Sequence, residues 1–383
     1  ISHILRVYLI DPELQIRNIY SVGFLHSDLI TSDVKTLIAE SNKFDHKNNE
    51  HSAPLVNTLA KPGDDKTGYE NKGYTTRANA ITERSKKGKA ANLLAIAHNP
   101  PLGLPRLSHE ILDRLSEEKI ALGRQLFFDR RLSLNDTFSC AMCHVPEQGF
   151  TSNEVSMAVG IEGRSVRRNS PTIYNVAYAT RLFHDGREYS LEQQVWGPLL
   201  AKNEMGNPSI GYVVEKIKSI EGYQQQFDKA FNGKGVNMLT IGEAIAGYQR
   251  TLLSGDSAFD RWYFAGNKNA LGKNARKGYE IFAGKANCVS CHNISKTSAL
   301  FTDYQLHNTG LGFKESMGIK PAMERVVLAP GVFIDVDREV IDSVGEQAPS
   351  DLGLYEITEN PSDRWKYKTP TLRNISLTAP YMH

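Results

Sequence analysis

Three observations predict a mainly α chain in which two similar modules follow one another behind an N-terminal extension. All four cysteines fall in two C-x-x-C-H motifs, Cys140-Ala141-Met142-Cys143-His144 and Cys288-Val289-Ser290-Cys291-His292. Apolar residues at helical spacing lead into each motif. Strand signals are sparse, so long loops must join the helices.

In chain order, residues 1–105 form an extension without motifs, and the polar, Lys/Asn/Gly-rich stretch Lys43 to Lys89 reads as loop-like or partly mobile. Asn99-Pro100-Pro101 marks a boundary. The first module, residues 106–265, opens with a predicted helix from Ser108 to Phe128, where Ile111, Leu112, Leu115, Ile120, Leu122 and Leu126 recur at helical period. A second long helix is expected over Thr240 to Phe264, with Thr240 as N-cap. The second module, residues 266–383, has a short helix over Ala275 to Phe282 running into Cys288, and its best strand candidate is Val326 to Val336.

The motif chemistry is specific. Two thiols three positions apart on a helical turn can each form a thioether to a haem vinyl group, and the adjacent histidine then meets the iron as proximal ligand. Two covalent c-type haems are therefore expected, each module being cytochrome c-like. Four thiolates would also satisfy tetrahedral zinc, but zinc gives no reason for a histidine after each pair. With 11 His in the chain, both histidines arise by chance with a probability on the order of 0.001. A thioredoxin-like pair would want a βαβ context, which neither motif has.

Length and composition fit a multi-domain, non-membrane chain. The formal net charge of +2 with 23% charged residues indicates neither a nucleic-acid binder nor an acidic tail. No apolar run approaches membrane-span length. The chain begins at Ile1 rather than Met, so a signal peptide or N-terminal anchor is expected upstream. Covalent c-type haem implies a bacterial periplasmic location, with all four thiols consumed by haem rather than disulfides.

From about residue 105 to 383 the chain resembles the bacterial di-haem cytochrome c peroxidases and their MauG-type relatives. The resemblance is carried by Arg168-Asn169-Ser170-Pro171-Thr172, Phe183-His184-Asp185-Gly186-Arg187, Leu191-Glu192-Gln193-Gln194, Gly197-Pro198, Asn203-Glu204-Met205 and Lys368-Thr369-Pro370-Thr371-Leu372-Arg373-Asn374, followed by Leu377 to His383. It implies that Glu204 lies over the N-terminal haem and moves a proton from the near to the far peroxide oxygen, with Gln194 and Pro198 in the same pocket. An isolated glutamate would by default be a solvated loop carboxylate; its place after Gln194 and Pro198 reverses that weighting. The resemblance also implies one Ca²⁺ between the haems, held by the Asn169 side chain and the carbonyls of Thr378 and Pro380.

Two departures bear on mechanism. Ordinary members carry a histidine after the first motif that ligates the resting N-terminal iron; the matching position falls on Ile161 or its neighbours, and no histidine occurs between His144 and His184. The N-terminal haem is thus expected to be open to peroxide without reductive activation. Second, His184 stands where the family has a tryptophan between the haems, a weaker hole carrier that titrates near neutral pH, or simply a hydrogen-bonding group. The resemblance places the second haem's sixth ligand, Met in peroxidases or Tyr in the MauG-like branch, downstream of Thr378 to Pro380 and so beyond His383. Tyr381, Met382, Met317, Met323 and His307 are in-chain candidates, although such residues more often serve packing.

Three functions fit these features. A periplasmic peroxidase would take electrons from a small cytochrome c or cupredoxin at the C-terminal haem and reduce H₂O₂ at the N-terminal one. A MauG-like enzyme would store the oxidising equivalents of peroxide over both haems and oxidise residues of a partner protein. A plain di-haem electron carrier is disfavoured by Glu204, Gln194 and the missing ligand histidine, since a carrier benefits from two closed irons. The extension could cover a haem edge, dock a partner or make a homodimer. Lys273, Arg276, Lys277 and Lys285 form a basic patch suited to an acidic donor, or an ordinary solvated helix face.

Overall fold

A computed structural model describes residues 91–153, 157–317, 322–329, 332–337, 339–340, 350–379 and 381, with the strands 6–10 and 16–21 near the N-terminus. The chain separates into two compact units, residues 2–88 and residues 89–383. In the first, β1 (Arg6–Ile10) and β2 (Ile16–Ser21) pair antiparallel, a hairpin the sequence reading did not identify. The stretch Lys43 to Lys89 lies outside the described residues.

The second unit is mainly α. Its first helices are α1 (Leu93–His98), α2 (His109–Leu112) and α3 (Glu117–Phe128). The single helix expected over Ser108–Phe128 is therefore two. Ser108 caps α2 and Ser116 caps α3, where its hydroxyl accepts from the Lys119 N–H at 3.2 Å and Glu117 and Glu118 fill the positive first turn. Leu93 and Leu94 of α1 pack against the main core, so residues before 105 belong to this unit's packing.

Next come α4 (Leu191–Gln194), α5 (Trp196–Leu200), α6 (Ile210–Ser219), α7 (Tyr223–Ala230), α8 (Met238–Arg250) and α9 (Ala258–Tyr263). The helix expected over Thr240–Phe264 is α8 and α9. Asn237, not Thr240, is the N-cap, with Thr240 as the third residue of a capping box. A new box, Ser257 with Asp260, starts α9. The break is enforced at Gly255, where a Cβ would lie 2.7 Å from the Leu102 carbonyl. Helices α3 and α8 cross so closely that a Cβ on Gly123 would meet the Ala244 carbonyl at 1.8 Å. Around that crossing Leu122, Leu126, Phe127, Val213, Ile217, Tyr223, Phe227, Ile241 and Ile245 are buried, each worth about 1.5–3 kcal/mol.

The second motif follows α10 (Lys273–Ala283), which extends the expected Ala275–Phe282 at both ends. Beyond it lie β3 (Leu306–His307), α11 (Leu311–Met317), the antiparallel hairpin β4 (Met323–Ala329) with β5 (Val332–Asp337), α12 (Tyr355–Thr358), and β6 (Tyr367–Lys368) paired with β3. The single strand expected over Val326–Val336 is that hairpin. Among the described residues no helix is long and apolar enough to cross a membrane.

Candidate functional site

Each C-x-x-C-H motif is a 3₁₀ turn, Cys140–Met142 and Cys288–Ser290, that closes with the histidine N–H donating 2.9 Å to the first cysteine's carbonyl. The ring is then braced from behind. His144 Nδ1 bonds the Phe150 carbonyl at 3.0 Å and His292 Nδ1 bonds the Phe301 carbonyl at 2.9 Å. A bond there fixes the tautomer with Nε2 as the lone-pair nitrogen, the form in which a histidine ligates a metal. Both phenylalanines have left-handed backbones, φ 56° and φ 51°, a strained state for a bulky side chain that aims the carbonyl at the imidazole.

The brace itself is duplicated. The Thr172 hydroxyl donates to the Gly149 carbonyl at 2.6 Å and the Thr371 hydroxyl to the Leu300 carbonyl at 2.7 Å, in each case the residue before the bracing phenylalanine. The same hydroxyls accept from Tyr174 N–H (3.2 Å) and Arg373 N–H (3.1 Å). Thr151 donates to the Ser170 carbonyl and Thr302 to the Thr369 carbonyl. Asn175 and Asn374, both left-handed, each accept at Oδ1 from Ser254, from its N–H and its hydroxyl respectively, at 2.9 Å. None of these second-layer residues was assigned a role from sequence. The signal was present as Phe-Thr followed by Pro-Thr-Ile-x-Asn and Pro-Thr-Leu-x-Asn.

The first motif forms one wall of a cavity of about 410 Å³, within the usual range for cofactor sites. Cys140, Cys143 and His144 line it together with Gln194, Pro198, Glu204, Asn169, His184, Arg187 and Lys368. The structure thus brings together every residue assigned to the first site. Glu204 is held by its own N–H to the Ala201 carbonyl and by its carbonyl accepting from Ile161 N–H, both at 2.9 Å. The loop bearing Ile161 presses so close that a Cβ on Gly160 would stand 2.6 Å from the Glu204 Cα. Burial raises the Glu204 carboxyl above its ordinary range, and Arg187 pulls it back down. Ile161, at or next to the position expected for the missing histidine, is 2% exposed and does not line the cavity; a Cβ on Gly206 would meet its Cδ1 at 2.3 Å.

Burial pushes the Cys140 and Cys143 thiols up to about 12. The two cysteine pairs do not converge. Among the described residues the groups of three or more potential metal ligands within 4.8 Å reduce to one, Cys291, Asp303 and His307. The residues present fit a haem at the first motif, with thioether positions and a braced histidine on one wall and polar groups opposite. At the second motif the fit rests on the same brace. His307 is the one sixth-ligand candidate so grouped with that motif, and its Nε2 already bonds Asp303 at 2.8 Å. Met317 and Met323 are exposed, the exposed Tyr381 bonds the Ile375 carbonyl, and Met382 lies outside the described residues.

Asn169 donates to the Ser152 carbonyl at 3.0 Å, and a Cβ on Gly149 would lie within van der Waals reach of Leu377 and Thr378. Both calcium-ligand candidates therefore flank the 149–153 segment; Pro380 lies outside the described residues. His184 stacks on Tyr367, ring centroids 4.8 Å apart at 21°.

Comparison with known proteins gives one consistent answer. The family model described as di-haem cytochrome c peroxidase matches residues 117–269. The methylamine utilization protein MauG of Methylorubrum extorquens is 34% identical over 307 residues, 80% of this chain and 74% of that protein. The cytochrome c551 peroxidase of Nitrosomonas europaea is 33% identical over 264 residues, 68% of this chain and 67% of its own length. The crystal structure of a MauG-like protein associated with microbial copper homeostasis superposes with TM-score 0.56 at 30% identity, covering 75% of this chain and 76% of that one.

Proposed function

The chain belongs to the di-haem cytochrome c peroxidase family, an oxidoreductase acting on hydrogen peroxide, and on that premise we propose that it is a periplasmic peroxidase with unequal haem sites. Electrons from a small cytochrome c or cupredoxin enter at the second motif, beside the exposed Lys273, Lys277 and Lys285, and reduce H₂O₂ to water at the first. The observation that carries this reading is Glu204, with Gln194 and Pro198, sharing one cavity with Cys140, Cys143 and His144.

Cys140, Cys143 and His144 would hold a haem, which would supply the iron chemistry that cleaves the peroxide O–O bond. Glu204 accepts the proton of the near oxygen and returns it to the far oxygen, which leaves as water. The raised proton affinity of a buried carboxyl suits both halves of that transfer. Gln194 offers an amide dipole to the separating charge, and Pro198 adds wall without a competing N–H donor. Asn169 with the carbonyls of Thr378 and Pro380 would hold one Ca²⁺.

A second reading is favoured by one feature. No histidine stands between His144 and His184 to close the first site, which supports the MauG-like alternative, in which both sites store the oxidising equivalents and a partner protein is oxidised. Adding stoichiometric H₂O₂ to the diferric protein separates the two. Rapid turnover only with a reduced small redox protein supports the peroxidase; a long-lived oxidised state discharged only by a partner protein supports the alternative. Either reading expects a high-spin ferric component at rest, and a purely low-spin spectrum would remove the open first site.

A further inference from the structure

The residue in the family's tryptophan position, His184, is a poor one-electron donor, yet it is not alone. Tyr367 lies parallel against it at 4.8 Å. The stack is locked from the backbone, because the Lys368 N–H donates to the His184 carbonyl at 2.8 Å. One face of the pair belongs to the first site, since His184 lines the cavity containing His144 and Glu204. The other side reaches the second site: Tyr367 is the register partner of His307 across the β3–β6 ladder, and the His307 ring groups with the Cys291 sulfur within 4.8 Å. A stacked phenol thus links a residue lining the first site to the strand partner of a residue grouped with the second motif.

We propose that Tyr367, stacked on His184, is the one-electron relay between the two haem sites. The inference rests on the proposed function, in which oxidising equivalents from peroxide appear at the first site and electrons arrive at the second. A phenol yields an electron far more readily than a neutral imidazole, provided its proton can leave at the same time. Here the Tyr367 hydroxyl donates to the Asp351 backbone carbonyl at 3.0 Å, and the charge of the Asp351 carboxylate acts on the phenol. In the outward step Tyr367 passes one electron to the peroxide-oxidised first site and its phenolic proton to the Asp351 carboxylate. In the return step one electron from the second site and the proton from Asp351 restore the phenol, so no atom or charge is left over.

The surroundings keep this pair rigid. Arg168 grips both Asp351 oxygens, at 2.5 and 2.7 Å, which fixes that carboxylate in place. The ring cannot swing away either, because the Asp351 carbonyl holds its hydroxyl and Gly312 and Gly353 pack against it, a Cβ on either reaching the ring or its oxygen at 3.0–3.2 Å. His184 contributes the platform rather than the oxidisable ring.

The test uses the full-length protein carrying both haems, with the second haem reduced and the first ferric. After mixing with one equivalent of H₂O₂, oxidation of the second haem is followed by stopped-flow absorbance. Tyr367→Phe keeps the stack and removes the oxidisable phenol, and is expected to slow that oxidation at least about tenfold; Tyr367→Trp, bulkier but oxidisable, should recover to within about threefold of the parent. A packing role predicts the reverse order. An unchanged Phe rate, or Trp no faster than Phe, overturns the inference. In the parent protein, freeze-quenched paramagnetic resonance with ring-deuterated tyrosine should narrow a transient radical signal; a radical unaffected by the label overturns it without any variant. Failure of the parent's second haem to be oxidised at all, while peroxide is consumed, would instead refute the proposed function.

Discussion

The two haem motifs are held by one device and faced by different ones. Behind each histidine stand a left-handed phenylalanine, a threonine bonding the preceding carbonyl, and an asparagine bonding Ser254. In front of them the resemblance ends. Cys140 to Cys143 pack on the main core and share their cavity with Glu204. The second motif follows α10, no residue of which is fully buried, and its near neighbours are Asp303 and His307. Holding an iron ligand and choosing its chemistry are therefore separate tasks: the repeated segments do the first, and the loops between them do the second.

The largest effect should come from erasing the difference in front. Glu204→Gln removes the proton acceptor while keeping shape, and should lower the peroxide rate by about 10²–10⁴. Both haems should remain, as read from pyridine haemochrome content. An unchanged rate would mean that the carboxylate is not what distinguishes the first site.

Next is the pin that ties the second brace to the first module. Arg373, two residues past Thr371, donates to both Asp260 oxygens at 3.0 and 2.8 Å and to the carbonyls of Ala299 and Gly103. Arg373 and Asp260 are buried, their side chains 5% and 0% exposed. Asp260→Ala leaves a guanidinium without its counter-ion and should cost about 3–5 kcal/mol in urea unfolding. A loss under about 1 kcal/mol, as for a surface pair, would mean the two modules stand independently.

The duplicated brace can be tested against itself. Thr172→Val and Thr371→Val each strand one carbonyl and one N–H, an expected cost of about 1–3 kcal/mol apiece. Near-equal costs in chemical denaturation would confirm one device used twice. A cost at Thr172 alone would show that only the core-embedded copy bears on stability.

How much of this was legible beforehand follows from what each feature depends on. The two motifs, Glu204, Gln194 and Pro198 could be read because their chemistry is local in sequence or ordered along it. The helix breaks at 113–116 and 251–257 were missed because apolar periodicity continues across them, whereas the caps Ser116 and Ser257 and the Leu102 contact at Gly255 decide the geometry. The brace was missed because its second copy is stretched. Phe150 and Pro171 are close in sequence, while the hairpin β4–β5 and helices α11 and α12 lie between Phe301 and Pro370. Tyr367 carried no signal at all, since only the fold brings it onto His184.

The smallest expected effect concerns the charge balance at Glu204, and it has a definite sign. To accept a proton the carboxyl must be ionised, so the peroxide rate should fall on the acid side. Because burial raises this group, the fall should begin above the ordinary carboxylate range. Arg187 opposes that rise from the same cavity. Arg187→Met should therefore move the acid limb further up and lower the rate at its foot by less than about tenfold, leaving the high-pH plateau intact. Arg187 also bonds Asp185 at 2.7 Å and lies 3.5 Å over the Phe183 ring, so loss of the plateau would report a structural role instead. A limb that moved down, or stayed in place, would mean that Glu204 does not feel this guanidinium, and the first site would owe its difference from the second to burial alone.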